Sequence, residues 1–221
     1  FTAFQAAVNP VSGKVHFALK ANSALGVISL LASCGAGADI VSAGELSRAL
    51  AAGIAAKDVV FSGVGKSAAD IRTALVAGIG QINAESAEEV AQISAVAAAM
   101  DVVAPVALRV NVDVDSGTHA KISTGQRSTK FGISTDRREA ASLYASINSD
   151  PHAKPMGLAV HIGSQICDLA PFELAYTELL DVANELRANG LDVPRLDLGG
   201  GVGVDYQQAS DTDFSSYGEL V

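Results

Sequence analysis

Lys20 stands at the tip of an apolar run, in Phe17-Ala-Leu-Lys-Ala-Asn22. A lysine at the end of a buried strand sits where desolvation and neighbouring charge depress its pKa, as a Schiff-base amine requires. The alternative is an ordinary solvated lysine at a strand end. A second feature is Asp197-Leu-Gly-Gly-Gly-Val-Gly203. Three consecutive glycines past an apolar strand offer backbone N–H groups with no side chain in the way, a nest for a phosphate, although the same residues also make a flexible turn. The pattern is not G-x-G-x-x-G opening a helix, so a dinucleotide reading is weak. In His161-Ile-Gly-Ser-Gln165 a neutral imidazole could stack on a flat cofactor, and Ser164 could donate to a phosphate or phenolate. A buried structural histidine is the competing reading. Arg109 closes another apolar run and needs an anion or an acidic partner if it is buried. Asp39 opens a strand, and Glu45 begins the helix after it, where it could serve only the helix N-terminus. His119 reads as a solvated loop histidine. No G-x-S-x-G elbow is present for a serine hydrolase. Cys34 and Cys167 lack a second Cys or His at ligand spacing, so neither a zinc site nor a disulfide framework is expected.

The elements that must position these residues alternate between short β-branched runs and Ala/Leu-rich stretches of helical period. Strands are expected at Val15–Leu19, Asp39–Ser42, Val59–Ser62, Gln81–Asn83, Val106–Val110, Leu158–His161 and Arg195–Leu198. Helices are expected over Ala24–Ser33, Glu45–Ala52, Ala68–Ala77, Ala87–Ala99, Arg137–Ile147 and Phe172–Asn189, several stopped by glycine (Gly53, Gly78, Gly190) in the αL manner. Strands that are apolar on both faces belong to a parallel sheet under helices. Between an open doubly wound sheet and a TIM-type (β/α)8 barrel, the near-uniform repeat favours the barrel. So do the polar residues at successive strand ends: Lys20 and Asn22, Ser42, Ser62, Asn83 and Glu85, Arg109 and Asn111, His161 and Ser164, then Gly199–Gly201. A barrel gathers all such ends at one mouth, where an open sheet would use one switch point. Seven βα units are countable, which makes the α/β barrel incomplete, with its eighth strand beyond Val221. Residues 112–130 form a long connection leaving the mouth, read as a lid, with a surface insertion as the alternative.

Composition sets bounds. The 221 residues are 49% apolar and 18% charged, enough for one sizeable core. A net charge of −9 without a Lys/Arg run gives no reason to expect nucleic acid or a membrane surface as partner. The apolar stretch Val27–Ala38 is well short of the roughly 18 residues of a membrane span. No basic leader opens the chain, and a cytoplasmic location is the default expectation.

At these residues the chain resembles the diaminopimelate decarboxylases, within the fold-type III pyridoxal-phosphate enzymes that include ornithine and arginine decarboxylases. The resemblance runs from about Phe4 to Asp205. It is carried by Phe17–Asn22, Gly37-Ala-Asp-Ile-Val-Ser-Ala-Gly-Glu45, Phe61-Ser-Gly-Val-Gly-Lys66, Arg109–Asp115, Thr118-His-Ala-Lys-Ile-Ser-Thr-Gly125, Lys130-Phe-Gly132, His161–Gln165 and Asp197–Gly201. The Thr118–Gly125 loop and the Phe61–Lys66 strand look particular to the diaminopimelate branch.

The resemblance implies that Lys20 forms the Schiff base with pyridoxal 5'-phosphate and that His161 packs on its ring. It implies that Ser164, Gly199, Gly200 and Gly201 hold the phosphate, Gly201 being the surest backbone donor. Asp39, Glu45 and Arg109 would form the polar network around Lys20 and the ring. The activity implied for the full-length parent is decarboxylation of meso-2,6-diaminopimelate to L-lysine and CO2, the last step of lysine biosynthesis, by a homodimer. The rivals are a decarboxylase of ornithine, arginine or carboxynorspermidine, and a non-catalytic barrel that carries pyridoxal phosphate. Residues 1–221 would be the cofactor-binding barrel, cut short at both ends. The family's C-terminal β-domain, with its Glu-Pro-Gly-Arg segment and catalytic cysteine, is not within them, so the stretch alone is expected to be inactive. Val112 departs from the family's proline, which would loosen the entry to the lid.

Overall fold

The computed structural model describes residues 1–112, 114, 132–133, 137–204 and 214–221. Within them run seven strands: β1 (His16–Ala18), β2 (Gly37–Ile40), β3 (Val59–Phe61), β4 (Gln81–Ala84), β5 (Ala104–Arg109), β6 (Ala153–Ala159) and β7 (Arg195–Asp197). The helices are α1 (Thr2–Val8), α2 (Leu25–Ser33), α3 (Ala43–Ala51), α4 (Ala68–Ala77), α5 (Ala87–Met100), α6 (Arg137–Ser149), α7 (Ala170–Ala188) and α8 (Phe214–Leu220). Every adjacent strand pair is parallel and the spatial order is β1 to β7 without a reversal. With no switch point, the doubly wound alternative falls. Curling is visible in one hydrogen bond: Asn83 on β4 donates its side-chain amide to Asp197 on β7 at 2.8 Å. Three strand spacings in a flat sheet would separate those strands by roughly 14 Å. The sheet therefore bends into an incomplete (β/α) barrel whose inner face brings distant strands together.

Local sequence explains much of this. Ser67 and Asp70 form a reciprocal capping box that starts α4, and Gly78 stops it at φ 71°. Ser42 and Ser86 cap α3 and α5 by accepting the N–H groups of Glu45 and Glu89. Val59, Val60 and Phe61 are all buried, as expected of a strand lying between a barrel interior and a helical layer. No helix among the described residues is long and apolar enough to cross a membrane.

Four expectations are corrected. The second strand is Gly37–Ile40, so Asp39 is its third residue rather than its first, and Ser42 caps α3 instead of ending a strand. The sixth strand begins at Ala153, well before Leu158. It admits Pro155 because the register with β5 shifts between Val106 and Ala107, next to Gly157 at φ 137°, and a bulge tolerates a residue with no N–H. Val112 does not loosen the start of the long connection, since both it and Val114 are buried in the core. Helices α1 and α8 were not anticipated. Each is only seven residues long, too short to be stable alone. They are held by packing on each other: Phe4 stacks on Phe214 at 4.8 Å and meets Tyr217 edge-on at 5.2 Å, while Gly218 lies so close that a Cβ there would approach the Ala7 carbonyl oxygen to 2.6 Å. The Thr118–Gly125 motif, His119 and the rest of the proposed lid apart from Val112 and Val114 lie outside the described residues.

Candidate active site

The strand ends converge on one rim, as the sequence suggested, but they divide into two groups. The first is centred on Arg109 at the end of β5. Its guanidinium donates to both carboxylate oxygens of Glu85, at 2.9 and 3.2 Å, and to the His161 carbonyl at 3.3 Å. Glu85 also accepts the N–H groups of Gly63 at 3.1 Å and Gly132 at 3.0 Å. Its own backbone N–H donates to Glu89, in the first turn of α5, at 2.8 Å. Glu89 in turn pairs with Lys66, whose ammonium reaches both carboxylate oxygens at 3.1 and 3.2 Å and donates to the carbonyls of Asn83 and Gly63. All four charged side chains are buried, two of each sign.

The second group runs from β1 and β2 through Ser62, just past β3, and Asn83 on β4 to the turns after β6 and β7. Asp39 accepts from the Ser62 hydroxyl at 2.6 Å, and Ser62 accepts from the Asn83 amide at 3.2 Å. That amide also reaches Asp197, which accepts the Gly199 N–H at 3.0 Å. A hydrogen-bonded chain thus crosses the barrel interior from Asp39 to the glycine turn. Gln81 supports it by donating to the Asn83 side-chain oxygen at 2.8 Å. Burial pushes the Asp39 carboxyl up to about 6; the Ser62 hydroxyl and the Lys20 charge oppose the shift, while Asp197 and Glu45 add to it. Burial, followed by the positive charges of Arg109 and Lys20, pushes His161 down to about 3. The imidazole is therefore neutral at physiological pH. Its Nδ1 faces the Gly200 N–H at 3.3 Å as acceptor, which leaves the ring proton on Nε2.

The turns after β6 and β7 are laced together. Ile166 donates to the Gly201 carbonyl at 2.9 Å, Gly203 donates to the Ile166 carbonyl at 2.8 Å, and the Gln165 amide both donates to and accepts from the Val204 backbone. Gln165 adopts φ 59° to do so. Gly199 and Gly201 are at φ 69° and 109°, and a Cβ on either would lie 2.2 and 2.1 Å from a carbonyl oxygen. Gly200 has open space where its Cβ would stand. Of the three glycine N–H groups, two are taken by Asp197 and His161. Only that of Gly201 has no acceptor among the described residues.

The expected site residues are thus brought to one rim, with adjustments. Lys20 is exposed, two residues past the end of β1, so the desolvated setting expected for it is not supplied by the described residues. Its charge nevertheless reaches both Asp39 and His161. Ser164 is exposed beside the glycine turn. Glu45 accepts the Val41 N–H at 2.7 Å, a local staple at the start of α3, so its role is nearer to the helix-terminus reading. Arg109 found the acidic partner it needed in Glu85. Sequence reasoning missed the Lys66–Glu89 pair, the Gln165 clamp and the route from Asn83 to Asp197. The first joins residues 23 apart and the last residues 114 apart, spacings with no signature in a linear pattern.

Known proteins resemble this chain in sequence and in fold. The family described as "Pyridoxal-dependent decarboxylase, pyridoxal binding domain" matches residues 1–221. A diaminopimelate decarboxylase of Zymomonas mobilis is 47% identical over 94% of the chain and 49% of its own length. One of Pseudomonas aeruginosa is 48% identical over 92% of the chain and 49% of its own length. Among solved structures, the diaminopimelate decarboxylase of Helicobacter pylori complexed with L-lysine superposes with a TM-score of 0.95 at 38% identity, covering 100% of this chain and 55% of that one. The chain spans about half the length of the curated relatives it matches.

Proposed function

Since the chain belongs to the pyridoxal-dependent decarboxylases, matching their pyridoxal-binding domain, we propose that it is the barrel of an enzyme that converts meso-2,6-diaminopimelate to L-lysine and CO2. The observation that carries this reading is the second half of the rim. There an accessible amine, a neutral imidazole, a carboxyl with a raised pKa and a glycine turn with open space face one another. The choice of substrate draws on the diaminopimelate decarboxylases to which the chain is 40–48% identical.

The residues fit pyridoxal 5'-phosphate. The Gly201 N–H and the exposed Ser164 hydroxyl are donors suited to a phosphate, and the space over Gly200 admits its oxygens. Gly199 and Gly200 contribute by shaping that turn. Lys20 provides the amine that holds the cofactor covalently. His161 offers a flat uncharged ring to stack on the pyridine, locked in orientation by Gly200. When bound, the cofactor supplies the electron sink for the pair left behind as CO2 departs. Asp39, with its pKa near neutrality, can hold or release a proton at its carboxyl oxygen close to Lys20. Burial keeps the His161 ring neutral, and the positive charge of Arg109, fixed by Glu85, adds to that effect. The working protein is a cytoplasmic homodimer.

The test is CO2 release by the full-length protein from meso-2,6-diaminopimelate, ornithine and arginine, with and without added pyridoxal phosphate. Cofactor-dependent turnover of diaminopimelate alone supports the reading. Preference for ornithine or arginine would reassign the substrate, and no cofactor-dependent turnover of any of the three would remove the reading altogether.

A further inference from the structure

Lys66 and Glu89 lie behind the rim, and the chemistry above does not use them. Lys66 is 6% exposed, and its three ammonium protons find the Gly63 carbonyl, the Asn83 carbonyl and the Glu89 carboxylate. Its stem runs past Phe61, with the ammonium 5.7 Å from the ring centroid. A buried ion pair of this kind costs desolvation on both sides and adds little net stability on its own. What it does here is local. Glu89 spends one oxygen on the Glu85 backbone N–H, and Glu85 then holds three partners, just past β3, on β5 and on the chain returning from the long connection: Gly63, Arg109 and Gly132. Gly132 is tightly seated, at φ 70° with a Cβ position only 2.9 Å from the Asn111 side-chain oxygen. The next residue, Ile133, continues the tie by bridging to Val110.

We propose that the Lys66–Glu89 pair is a positioning device that keeps Glu85 in place as an ionised clamp, so that Arg109 and the return end of the 113–131 connection share one rigid anchor. This rests on the function proposed above only for its consequence, since the anchored Arg109 is one of the two groups whose charge acts on His161. The physical argument is one of compensation. With Lys66 present, the two neighbouring carboxylates Glu85 and Glu89 are matched by two cations. Without Lys66 one buried carboxylate is uncompensated, and repulsion pushes Glu89 away from Glu85. The Glu85 N–H then loses its acceptor, and the clamp on Gly63 and Gly132 loosens.

The test uses the full-length protein carrying Lys66→Met, Glu89→Gln, or both, with Lys66→Arg as the conservative variant. Amide hydrogen exchange at Gly63 and at Gly132–Ile133 is followed first without cofactor, and pyridoxal phosphate affinity is titrated second. Lys66→Met should speed exchange at those amides about tenfold or more, while β2 and β7 stay protected, and should weaken the cofactor. Lys66→Arg should retain most of the wild-type behaviour. The double variant removes the stranded charge yet leaves the glutamine oxygen to accept the Glu85 N–H, so it should recover at least half of the lost protection. Unchanged exchange in Lys66→Met would overturn the proposal. So would a double variant no better protected than the single, because a lysine that merely fills space would not be rescued by neutralising Glu89. Exchange that behaves as expected in a protein that binds no pyridoxal phosphate would leave this coupling standing and remove the function instead.

Discussion

The Glu85–Arg109 side of the rim and the Lys20–Asp39–His161 side each hold a lysine and a carboxylate and put them to opposite uses. On the first, Lys66, Glu89, Glu85 and Arg109 are buried and matched charge for charge, with carbonyls and N–H groups taking up further bonding capacity. On the second, Lys20 is exposed, Asp39 is raised towards neutrality by burial, and His161 is held neutral beside two cations. A charge-matched, buried ion-pair network is inert and rigid, which suits a scaffold. Groups whose charge is suppressed or left accessible hold free energy available for a ligand or a proton, which suits a reacting centre. The Gly199–Gly201 turn shows the same division: two N–H groups are used to fix the turn and one remains to be offered.

The largest effect that could break this contrast lies at Lys20. Lys20→Ala in the full-length protein should reduce CO2 release by at least about a thousandfold, near 4 kcal/mol of barrier. Because Lys20 is exposed, its unfolding free energy should stay within about 0.5 kcal/mol of wild type. Borohydride reduction and peptide mapping should place the pyridoxyl group on Lys20. A label on Lys66 would mean that the buried pair is not the inert half.

Arg109→Met should do the reverse and cost stability. It leaves Glu85 as a buried carboxylate held by backbone donors alone, a loss of about 3–5 kcal/mol in urea unfolding. Adding Glu85→Gln should return part of it. A single-variant loss below about 1 kcal/mol would place the pair among ordinary surface bridges.

The two perturbed groups predict opposing pH dependences. The Asp39 carboxyl binds its proton more tightly in the folded protein, about 6 against 3.8, so its contribution is present below pH 3.8 and is lost as pH rises through 6. Asp39→Asn should therefore be more stable than wild type above pH 6, by up to about 3 kcal/mol, with no advantage at pH 4. His161 runs the other way. Its folded value of about 3 lies below 6.5, so its contribution is complete above pH 6.5 and is lost as pH falls towards 3. His161→Gln should flatten the acid limb of the stability profile. Thermal unfolding of the apoprotein between pH 4 and 8 checks both, and parallel profiles for all three proteins would mean that neither group is perturbed.

The smallest effect separates the glycines. Gly200→Val enters open space, so the fold should change little while pyridoxal phosphate affinity falls about tenfold, near 1.4 kcal/mol. Gly201→Val cannot serve as this test. Its Cβ would meet the Gly163 carbonyl at 2.1 Å from a backbone at φ 109°, and fold and affinity would fail together. Equal affinity for Gly200→Val and wild type would remove the phosphate from this turn.

Much of this protein was legible as a linear pattern, because the features concerned are local. The boundaries of α4 follow from the Ser67/Asp70 capping box and Gly78, and Lys20, Arg109 and His161 follow from their places at the ends of apolar runs. The same period of strand and helix carried the barrel. Tertiary structure decided which of those polar residues would be chemistry and which would be scaffold. Nothing in Arg109's position says that Glu85 will neutralise it, and nothing in Lys66's says that Glu89, 23 residues on, will. Asp39 acquires its raised pKa, and Asn83 its partner 114 residues away, only when the sheet curls and excludes water from its inner face. The short helices α1 and α8 likewise gain their stability from each other's aromatic side chains. Propensity, capping and periodicity act over a few residues and can be read along the chain. Desolvation and charge pairing depend on which distant segments meet, and the closure of the sheet alone determines that.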